Sequence, residues 1–293
     1  MRLHVDEAPA EIYLKLETLQ PINSFKIRGA YNAMAEAPRD ELAAGVLTTS
    51  AGNMAQGVAW AARELGIPCT VIVPDHAPET KLAAIERLGG TYVKVPFDRW
   101  WQALEERRYP GIDGFFVHPV EDEPVMAGNG TIGLEILEDL PEPDVIVVPW
   151  GGGGLLVGIA SAIKALRPET EMRAVELETA APLAASLAAG EPREIDYRAT
   201  FVDGAGARAL LPKMWELGRP LVAGSDVVTL DETAAAVRLL AERVRVVAEG
   251  AGALAVASAL SGRPGRGKTI VAIVSGGNID SSVLRTILAG ETP

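Results

Sequence analysis

The sequence predicts an α/β protein with two doubly wound lobes and mainly parallel sheets. Short apolar runs typical of buried strands alternate with helical spacing of apolar residues along almost the whole chain. In such folds, ligands bind at the carboxyl ends of the strands. The predicted strands cover residues 13–16, 45–49, 70–73, 92–95, 115–118, 144–149, 173–177, 227–230 and 269–274. The predicted helices cover residues 54–65, 79–88, 101–108, 130–137, 155–166, 232–247 and 253–260, and a terminal helix follows.

The length of 293 residues is sufficient for two lobes. We predict a larger lobe from residues 1–42 and 120–293, and a smaller lobe, residues 43–119, inserted into it. Asp231 is predicted to cap the helix that begins at Glu232.

Composition and charge exclude several classes of protein. The net charge of −12 argues against binding to a nucleic-acid backbone, because such binding needs a basic face. No apolar segment is long enough to cross a bilayer, so no membrane partner is expected. Cys69 is the single cysteine, which rules out an intramolecular disulfide. These features favour a soluble protein of a reducing compartment, the cytoplasm.

The most informative segment is the glycine run Gly151, Gly152, Gly153 and Gly154. It follows the apolar strand 144–149 and precedes the apolar helix 155–166. Glycines in this position let backbone N–H groups converge on an anion, and the helix N-terminus adds a favourable dipole. No Gly-Lys-Ser/Thr follows, so the run is not a Walker loop, and it also fails the dinucleotide-binding pattern. A phosphate site is the leading interpretation, and a tight turn between closely packed elements is the alternative.

Lys26 is a candidate nucleophile. Ser24 is a predicted N-cap, which puts Lys26 in the first turn of a helix between two apolar neighbours, Phe25 and Ile27. Partial burial there would favour Schiff-base chemistry. The alternative is an ordinary surface lysine whose stem packs on its neighbours.

Two further turns follow predicted strands. In the first, the N–H groups of Ser50, Ala51, Gly52 and Asn53 could hold a carboxylate, and the Asn53 amide could reach a ring oxygen. Its alternative is helix capping by Ser50 or Asn53. In the second turn, Ser275 could bond a ring nitrogen or merely terminate its strand.

In their order along the chain, the four motifs resemble those of the fold-type II pyridoxal-phosphate enzymes. They are Lys26, residues 50–53, residues 151–154 and Ser275. The similarity is strongest to the threonine/serine dehydratase group, which also contains serine racemases. It runs from about residue 11 to residue 288 and includes the segments 77–81, 127–135 and 248–253. It implies a tryptophan synthase β-like architecture, with the cofactor bound by the larger lobe, and a homodimer.

The resemblance also implies a role for each motif. Lys26 corresponds to the lysine that binds pyridoxal 5′-phosphate, and residues 151–154 correspond to its phosphate site. Asn53 would contact the ring hydroxyl, and Ser275 would lie against the pyridine nitrogen. A serine there, instead of a carboxylate, would leave the nitrogen weakly protonated, which suits elimination. Residues 50–53 would bind the substrate carboxylate.

The implied reaction is the dehydration and deamination of L-threonine, L-serine or a related 3-hydroxy amino acid to a 2-oxo acid and ammonia. The alternative on the same scaffold is an amino-acid racemase. It is disfavoured because Ala51 stands where similar racemases have a serine that serves as a second acid–base. A non-enzymatic carrier of a phosphorylated ligand is the other alternative, and the joint presence of Lys26, Asn53 and Ser275 argues against it.

The chain departs from the group at several positions. Met54 replaces a frequent histidine, and Trp150 replaces a smaller apolar residue. Some relatives bind a divalent cation through a glutamate six positions before the Asp of an Asp-Gly pair. Tyr197 stands at that position before Asp203, so no metal site is predicted, and His4, His76 and His118 lack metal-site spacing. Compared with the group, about one helix is missing before the first strand, and no regulatory domain is expected after the terminal helix.

Overall fold

The computed structural model describes residues 1–3 and 8–293, so His4 lies outside the described residues. The strands are β1 (Arg2–Leu3), β2 (Glu11–Leu16), β3 (Val46–Thr49), β4 (Cys69–Pro74), β5 (Thr91–Val95), β6 (Phe115–Phe116), β7 (Val145–Pro149), β8 (Glu171–Leu177), β9 (Gly224–Val228) and β10 (Thr269–Val274). The helices are α1 (Lys26–Glu36), α2 (Asn53–Leu65), α3 (Glu79–Arg87), α4 (Phe97–Glu106), α5 (Glu123–Asp139), α6 (Gly154–Leu166), α7 (Pro182–Ala189), α8 (Pro212–Gly218), α9 (Leu230–Leu239), α10 (Gly250–Ser261) and α11 (Ser281–Leu288).

The described residues form two compact units, one of residues 1–19 and 130–293 and the other of residues 20–129. These limits differ from the predicted lobe limits, because residues 20–42 and 120–129 group with the smaller unit. Val125 joins the core of this unit, and the apolar face of α1 shares that core with α2. Ala30 and Met34 of α1 are buried in that core together with Val58 of α2.

The larger unit contains a six-stranded sheet in the order β1-β2-β10-β7-β8-β9. Its strand pairs are parallel except for the pair β1–β2. Strand β7 lies in the middle and is buried along its whole length, which explains its unbroken apolar sequence. Because β7 and β10 are neighbours, the segments that follow them emerge side by side at the carboxyl edge of this sheet.

The smaller unit contains a four-stranded parallel sheet in the order β5-β4-β3-β6. Both sheets are therefore mainly parallel and alternate with helices along the chain, which confirms the predicted α/β class. Among the described residues, no helix is both long enough and apolar enough to cross a membrane.

Local capping differs from the sequence-based predictions at two helices. Asp231 was predicted to cap α9, but Thr229 does so. Its hydroxyl accepts the N–H of Glu232, and the Glu232 carboxylate accepts the Thr229 N–H. This reciprocal pair satisfies two N–H groups at once, which Asp231 alone would not do. At α1 the cap position is Phe25 rather than Ser24, although the Ser24 hydroxyl accepts the Lys26 N–H at 3.4 Å.

Helix α7 was not predicted from the sequence, and a buried carboxylate fixes its start. Glu176 at the end of β8 accepts N–H groups from Leu183 and Ala184 at 2.8 and 2.7 Å, and the Ser225 hydroxyl donates to it at 2.8 Å. The residue is fully buried. Burial raises the pKa of Glu176 from 4.5 to about 7, against the opposing effect of these hydrogen bonds.

This raised pKa predicts a pH-dependent contribution to stability. The folded protein holds a proton on Glu176 at pH values where the unfolded chain has lost it. The stabilisation is therefore complete below about pH 4.5 and is lost as the pH rises through about 7. We expect the unfolding temperature of the wild type, relative to Glu176→Gln, to fall between pH 4.5 and pH 8 in thermal unfolding. Glu178→Gln is the control, because the Glu178 carboxylate accepts the Leu230 N–H at an exposed position. Equal pH slopes for the wild type and Glu176→Gln would contradict the prediction.

Candidate active site

The site residues of the smaller unit lie at the carboxyl edge of its sheet. Strands β3 and β6 are parallel neighbours, and the Thr48 hydroxyl donates to the Val117 carbonyl at 2.8 Å. The turn of residues 50–53 follows β3, and the segment beginning at His118 follows β6. The topology therefore brings these two polar segments to the same edge.

Lys26 is the first residue of α1 and is half-buried. Its ammonium group donates a hydrogen bond to the Pro119 carbonyl at 2.9 Å and lies 5.0 Å from the centre of the Phe25 ring. A Cβ atom added to Gly57 would lie 3.1 Å from the Lys26 carbonyl oxygen, so α1 and α2 are in close contact. The end of the Lys26 side chain is therefore held at the segment that follows β6.

The Pro119 carbonyl is held by a tightly hydrogen-bonded turn. Nδ1 of His118 accepts N–H groups from Val120 and Glu121 at 3.2 and 2.9 Å. The His118 N–H donates to the Asp122 carboxylate at 2.7 Å. As an acceptor, Nδ1 carries no proton, so a neutral His118 has its proton on Nε2. The sequence indicated packing or substrate contact for His118 but gave no sign of this turn, because backbone N–H donors leave no pattern in a sequence.

The turn of residues 50–53 leaves the start of α2 without a side-chain cap. The cap position is Gly52, which makes no side-chain cap bond, so the predicted alternative of capping by Ser50 or Asn53 is wrong. The Ser50 hydroxyl instead accepts the Gly52 N–H at 3.1 Å. A Cβ atom added to Gly52 would meet no heavy atom within 4 Å. The turn therefore borders open space at a helix N-terminus, which is a suitable place for an anionic group.

The glycine run of the larger unit leads directly from β7 into α6. Gly153 has φ +95° and occupies the cap position of α6 without a side-chain cap bond. A Cβ atom added to Gly153 would lie 2.7 Å from the Trp150 ring, and one added to Gly151 would lie 3.1 Å from the Cα atom of Ala205. A side chain is thus excluded at Gly153, and one at Gly151 would require the Ala205 backbone to shift. Glycine is also the residue that adopts a left-handed backbone without strain.

This construction fits a phosphate group. The N-terminus of a helix of 13 residues provides N–H groups and the positive end of a dipole, and Gly152 in the preceding run is exposed. Close packing against Trp150 and Ala205 accounts for two of the four glycines, so the tight-turn interpretation explains part of the run. It also accounts for the missing side-chain cap of α6, because the cap residue Gly153 is one of these two glycines.

Ser275 follows β10 and is buried, with 4% of its surface exposed. The Glu249 N–H donates to the Gly276 carbonyl at 3.0 Å, and Gly252 of α10 lies directly against Gly276. The start of α10 therefore fixes the backbone beside Ser275. Because β10 and β7 are neighbours, Ser275 and the glycine run share the carboxyl edge of the larger unit's sheet.

The described residues show neither a cluster of metal-binding side chains nor a reactive thiol in these segments. No group of three or more His, Cys, Asp or Glu residues with metal-site geometry occurs among residues 1–3 and 8–293. The ring of Tyr197 lies against Gly206, close to the Asp203 segment. Burial raises the pKa of the Cys69 thiol to about 12, so this thiol stays protonated and unreactive.

Comparison with known proteins identifies the family. A model of the family described as pyridoxal-phosphate dependent enzyme matches residues 2–276. An L-threonine ammonia-lyase from Thermotoga maritima is 42% identical over 281 residues, which cover 95% of this chain and 70% of that protein. Among solved structures, the processed form of threonine deaminase isoform 2 from Solanum lycopersicum has a TM-score of 0.89 at 35% identity and covers 97% of this chain and 85% of its own. Maize serine racemase has a TM-score of 0.86 at 32% identity, covering 97% and 88%.

These similarities confirm the predicted fold-type II architecture and pyridoxal phosphate as the cofactor. The match to the family extends over most of the sequence, and the similarity to the ammonia-lyase spans nearly its whole length. The chain therefore belongs to the family of pyridoxal-phosphate-dependent enzymes and, within it, to the threonine/serine dehydratase group.

Proposed function

We propose that this enzyme converts L-threonine to a 2-oxo acid and ammonia, with L-serine and related 3-hydroxy amino acids as further candidate substrates. The observation that carries the proposal is the 42% identity to an L-threonine ammonia-lyase over 95% of the chain. The half-buried Lys26, with its amine at the carboxyl edge of a parallel sheet, supports it chemically. The β-hydroxyl group leaves as water, and one water is consumed when the resulting imine is hydrolysed, so the reaction needs no external oxidant.

Four segments are proposed to hold the cofactor. Lys26 binds it covalently through Nζ, and Gly151, Gly152, Gly153 and Gly154 bind its phosphate. The N-terminus of α6, with the positive end of its helix dipole directly after the glycine run, supports the phosphate assignment. Asn53 contacts the ring hydroxyl, and Ser275 lies against the ring nitrogen. Both assignments rest on the resemblance of their motifs to the family, together with their position beyond the ends of parallel strands.

When bound, pyridoxal phosphate supplies an electron sink for cleavage of bonds at the substrate Cα atom. Once its amine is released by the incoming substrate, Lys26 removes the Cα proton as general base. The Pro119 carbonyl, 2.9 Å from Nζ, accepts a hydrogen bond from the free amine and so keeps it oriented. The turn of His118 fixes this carbonyl through two N–H bonds to Nδ1.

The turn Ser50–Ala51–Gly52–Asn53 is proposed to bind the substrate carboxylate. Its support is the helix N-terminus without a side-chain cap and the open space beside Gly52. The Ser50 hydroxyl accepts the Gly52 N–H and so contributes to the shape of the turn.

The test of this function is product analysis with the purified holoenzyme. L-Threonine, L-serine and their D-enantiomers are supplied separately, and 2-oxo acid, ammonia and substrate enantiomers are measured over time. The proposal predicts equal amounts of 2-oxo acid and ammonia, with the highest kcat/KM for L-threonine. Accumulation of the D-enantiomer without 2-oxo acid would make the enzyme a racemase. Absence of turnover with every substrate would favour a carrier.

Ala51 separates the two enzymatic functions. A methyl side chain cannot donate a proton to the opposite face of the substrate, so dehydration should dominate. We expect Ala51→Ser to increase racemisation by up to roughly 10²-fold, because positioned acid–base groups contribute about that much or more. Chiral chromatography of the residual substrate measures the effect.

The exposed Ala43 provides a matched control for this substitution, since Ala43→Ser adds the same hydroxyl elsewhere in the smaller unit. It should leave the ratio of racemisation to elimination unchanged. If Ala51→Ser behaves like Ala43→Ser, the turn of residues 50–53 does not face the substrate in the proposed way.

We further propose that the enzyme acts in the cytoplasm as a homodimer. The protonated, buried thiol of Cys69 is compatible with a reducing compartment. The dimer rests on the resemblance to the family alone. Light scattering coupled to size-exclusion chromatography measures the mass, and a monomer at working concentration would contradict the proposal.

A further inference from the structure

Trp150 directly precedes the glycine run, and its large ring is almost fully buried at 1% exposure. The backbone N–H of Trp150 donates to the Val175 carbonyl of β8 at 2.9 Å, which continues the pairing of β7 with β8. Its indole Nε1 has no hydrogen-bond partner within the described part of the chain. The indole N–H group thus makes no hydrogen bond within the described residues, so the size and shape of the ring determine what Trp150 contributes here.

Two glycines from different elements contact the same edge of this ring. A Cβ atom added to Gly153, at the start of α6, would lie 2.7 Å from Cη2 of Trp150 and 2.8 Å from Cζ2. A Cβ atom added to Gly218, at the end of α8, would lie 2.7 Å from Cη2 and 3.0 Å from Cζ3. The far edge of the indole is thus held between the two backbones, and neither glycine can move towards it.

We propose that Trp150 is a positioning residue of the phosphate-binding loop, which it braces against α8. The ring fills the space behind Gly153 and keeps this residue in its left-handed conformation, with φ +95°. Gly153 is the cap residue of α6, and its carbonyl accepts the Val157 N–H at 2.9 Å. The direction of the first N–H groups of α6 therefore depends on the ring. This role rests on the proposed binding of the cofactor phosphate by residues 151–154.

Trp150 should therefore affect how tightly the cofactor phosphate is bound, but not how tightly the pyridine ring of the cofactor is bound. Trp150→Val removes the brace and lets the loop relax. We expect the apoprotein to lose affinity for pyridoxal 5′-phosphate by about tenfold or more, because small displacements of binding groups have large effects. Affinity for pyridoxal, which lacks the phosphate, should stay within about twofold, since no phosphate contact can be lost.

The measured quantity is the ratio of the two dissociation constants, determined by absorbance titration of the apoprotein. Both ligands carry the same aldehyde for Lys26, so effects on the covalent bond cancel in this ratio. Trp100→Val is the matched control, because Trp100 also has a buried Nε1 without a hydrogen-bond partner among the described residues, and it stacks on Phe97 within the smaller unit. It should leave the ratio unchanged. Trp150→Phe keeps an aromatic ring and provides a milder variant if Trp150→Val does not fold.

Gly218→Ala tests the brace from its other side. The added methyl group would press on the same ring edge, so it should also lower the preference for the phosphorylated ligand. In the Trp150→Val background the space is open, and Gly218→Ala should change the ratio by less than about twofold, which double-mutant cycles detect as coupling. Additive effects of the two substitutions would overturn the proposal.

The outcomes also separate this inference from the proposed function on which it rests. If the wild type binds pyridoxal as tightly as pyridoxal 5′-phosphate, the phosphate assignment of residues 151–154 fails. If the wild type strongly prefers the phosphorylated ligand and both Trp150 variants keep that preference, only the role of Trp150 fails.

Discussion

Replacing Lys26 by alanine is expected to lower 2-oxo acid formation from L-threonine at least about 10⁴-fold. General base catalysis alone contributes roughly 10²–10⁴-fold, and the variant also loses the covalent attachment of the cofactor. Lys26→Arg should be equally inactive, because it retains the positive charge but not a nucleophilic amine. Steady-state kinetics measure the first effect. Mass spectrometry after borohydride reduction measures the second, since the wild type should carry the cofactor on the peptide that contains Lys26.

The control is Lys94→Ala. Lys94 pairs with Glu79 at 2.7 Å on the surface of the same unit, so its loss should leave activity and reduced cofactor unchanged. If Lys26→Ala still traps the cofactor on a lysine after reduction, another residue is the attachment site and the assignment of Lys26 is wrong.

Replacing Gly153 by alanine should have the second large effect. The new Cβ atom would lie 2.7 Å from the Trp150 ring, and the residue would be held at φ +95°, where a side chain costs about 1–2 kcal/mol. We expect a loss of stability of at least this size and a loss of pyridoxal 5′-phosphate affinity of about tenfold or more. Chemical denaturation of the apoprotein and absorbance titration measure the two effects separately.

Gly190→Ala is the matched control for backbone strain. Gly190 has φ +76° at the end of α7, and a Cβ atom there would meet nothing within 4 Å. It should lose a similar strain energy while cofactor affinity stays at the wild-type value. Equal losses of cofactor affinity in both variants would mean that Gly153 affects binding only through global stability.

The strands next to the site were predictable because their sequences are almost continuous apolar runs. Strand β7 is apolar at every position since both faces are buried, and β10 was predicted with its observed limits, residues 269–274. The glycine run after β7 and Ser275 after β10 then follow at the same edge of a parallel sheet. Their position depends on chain direction alone, so identifying the strands is sufficient to predict it.

Elements without an amphipathic pattern were missed. Helix α7 is rich in alanine and begins where the buried Glu176 collects its N–H groups, and Glu176 is seven positions away from Leu183 in sequence. The grouping of α1 with α2 depends on contacts between small side chains and Gly57, which no local pattern reports. Tertiary packing, and not local helix propensity, determines where α7 begins and which unit contains α1.

The same limit applies inside the site. Lys26 was predicted from its motif, but its hydrogen-bond partner is the carbonyl of Pro119, 93 residues away in sequence. Trp150 was noticed as a departure from the family, yet its contacts with Gly153 and Gly218 depend on where α8 ends. Motifs predict which residues carry the chemistry, while the residues that hold them in place emerge from the tertiary structure.

The most direct test of the central claim is the visible absorption spectrum of the purified protein before and after addition of L-threonine. The account predicts a yellow protein whose absorption band changes on addition of the substrate while a 2-oxo acid accumulates. A band that persists without product would keep the cofactor and exclude L-threonine as the substrate. A colourless protein that cannot be reconstituted with pyridoxal phosphate would contradict the roles assigned to Lys26 and to the glycine run.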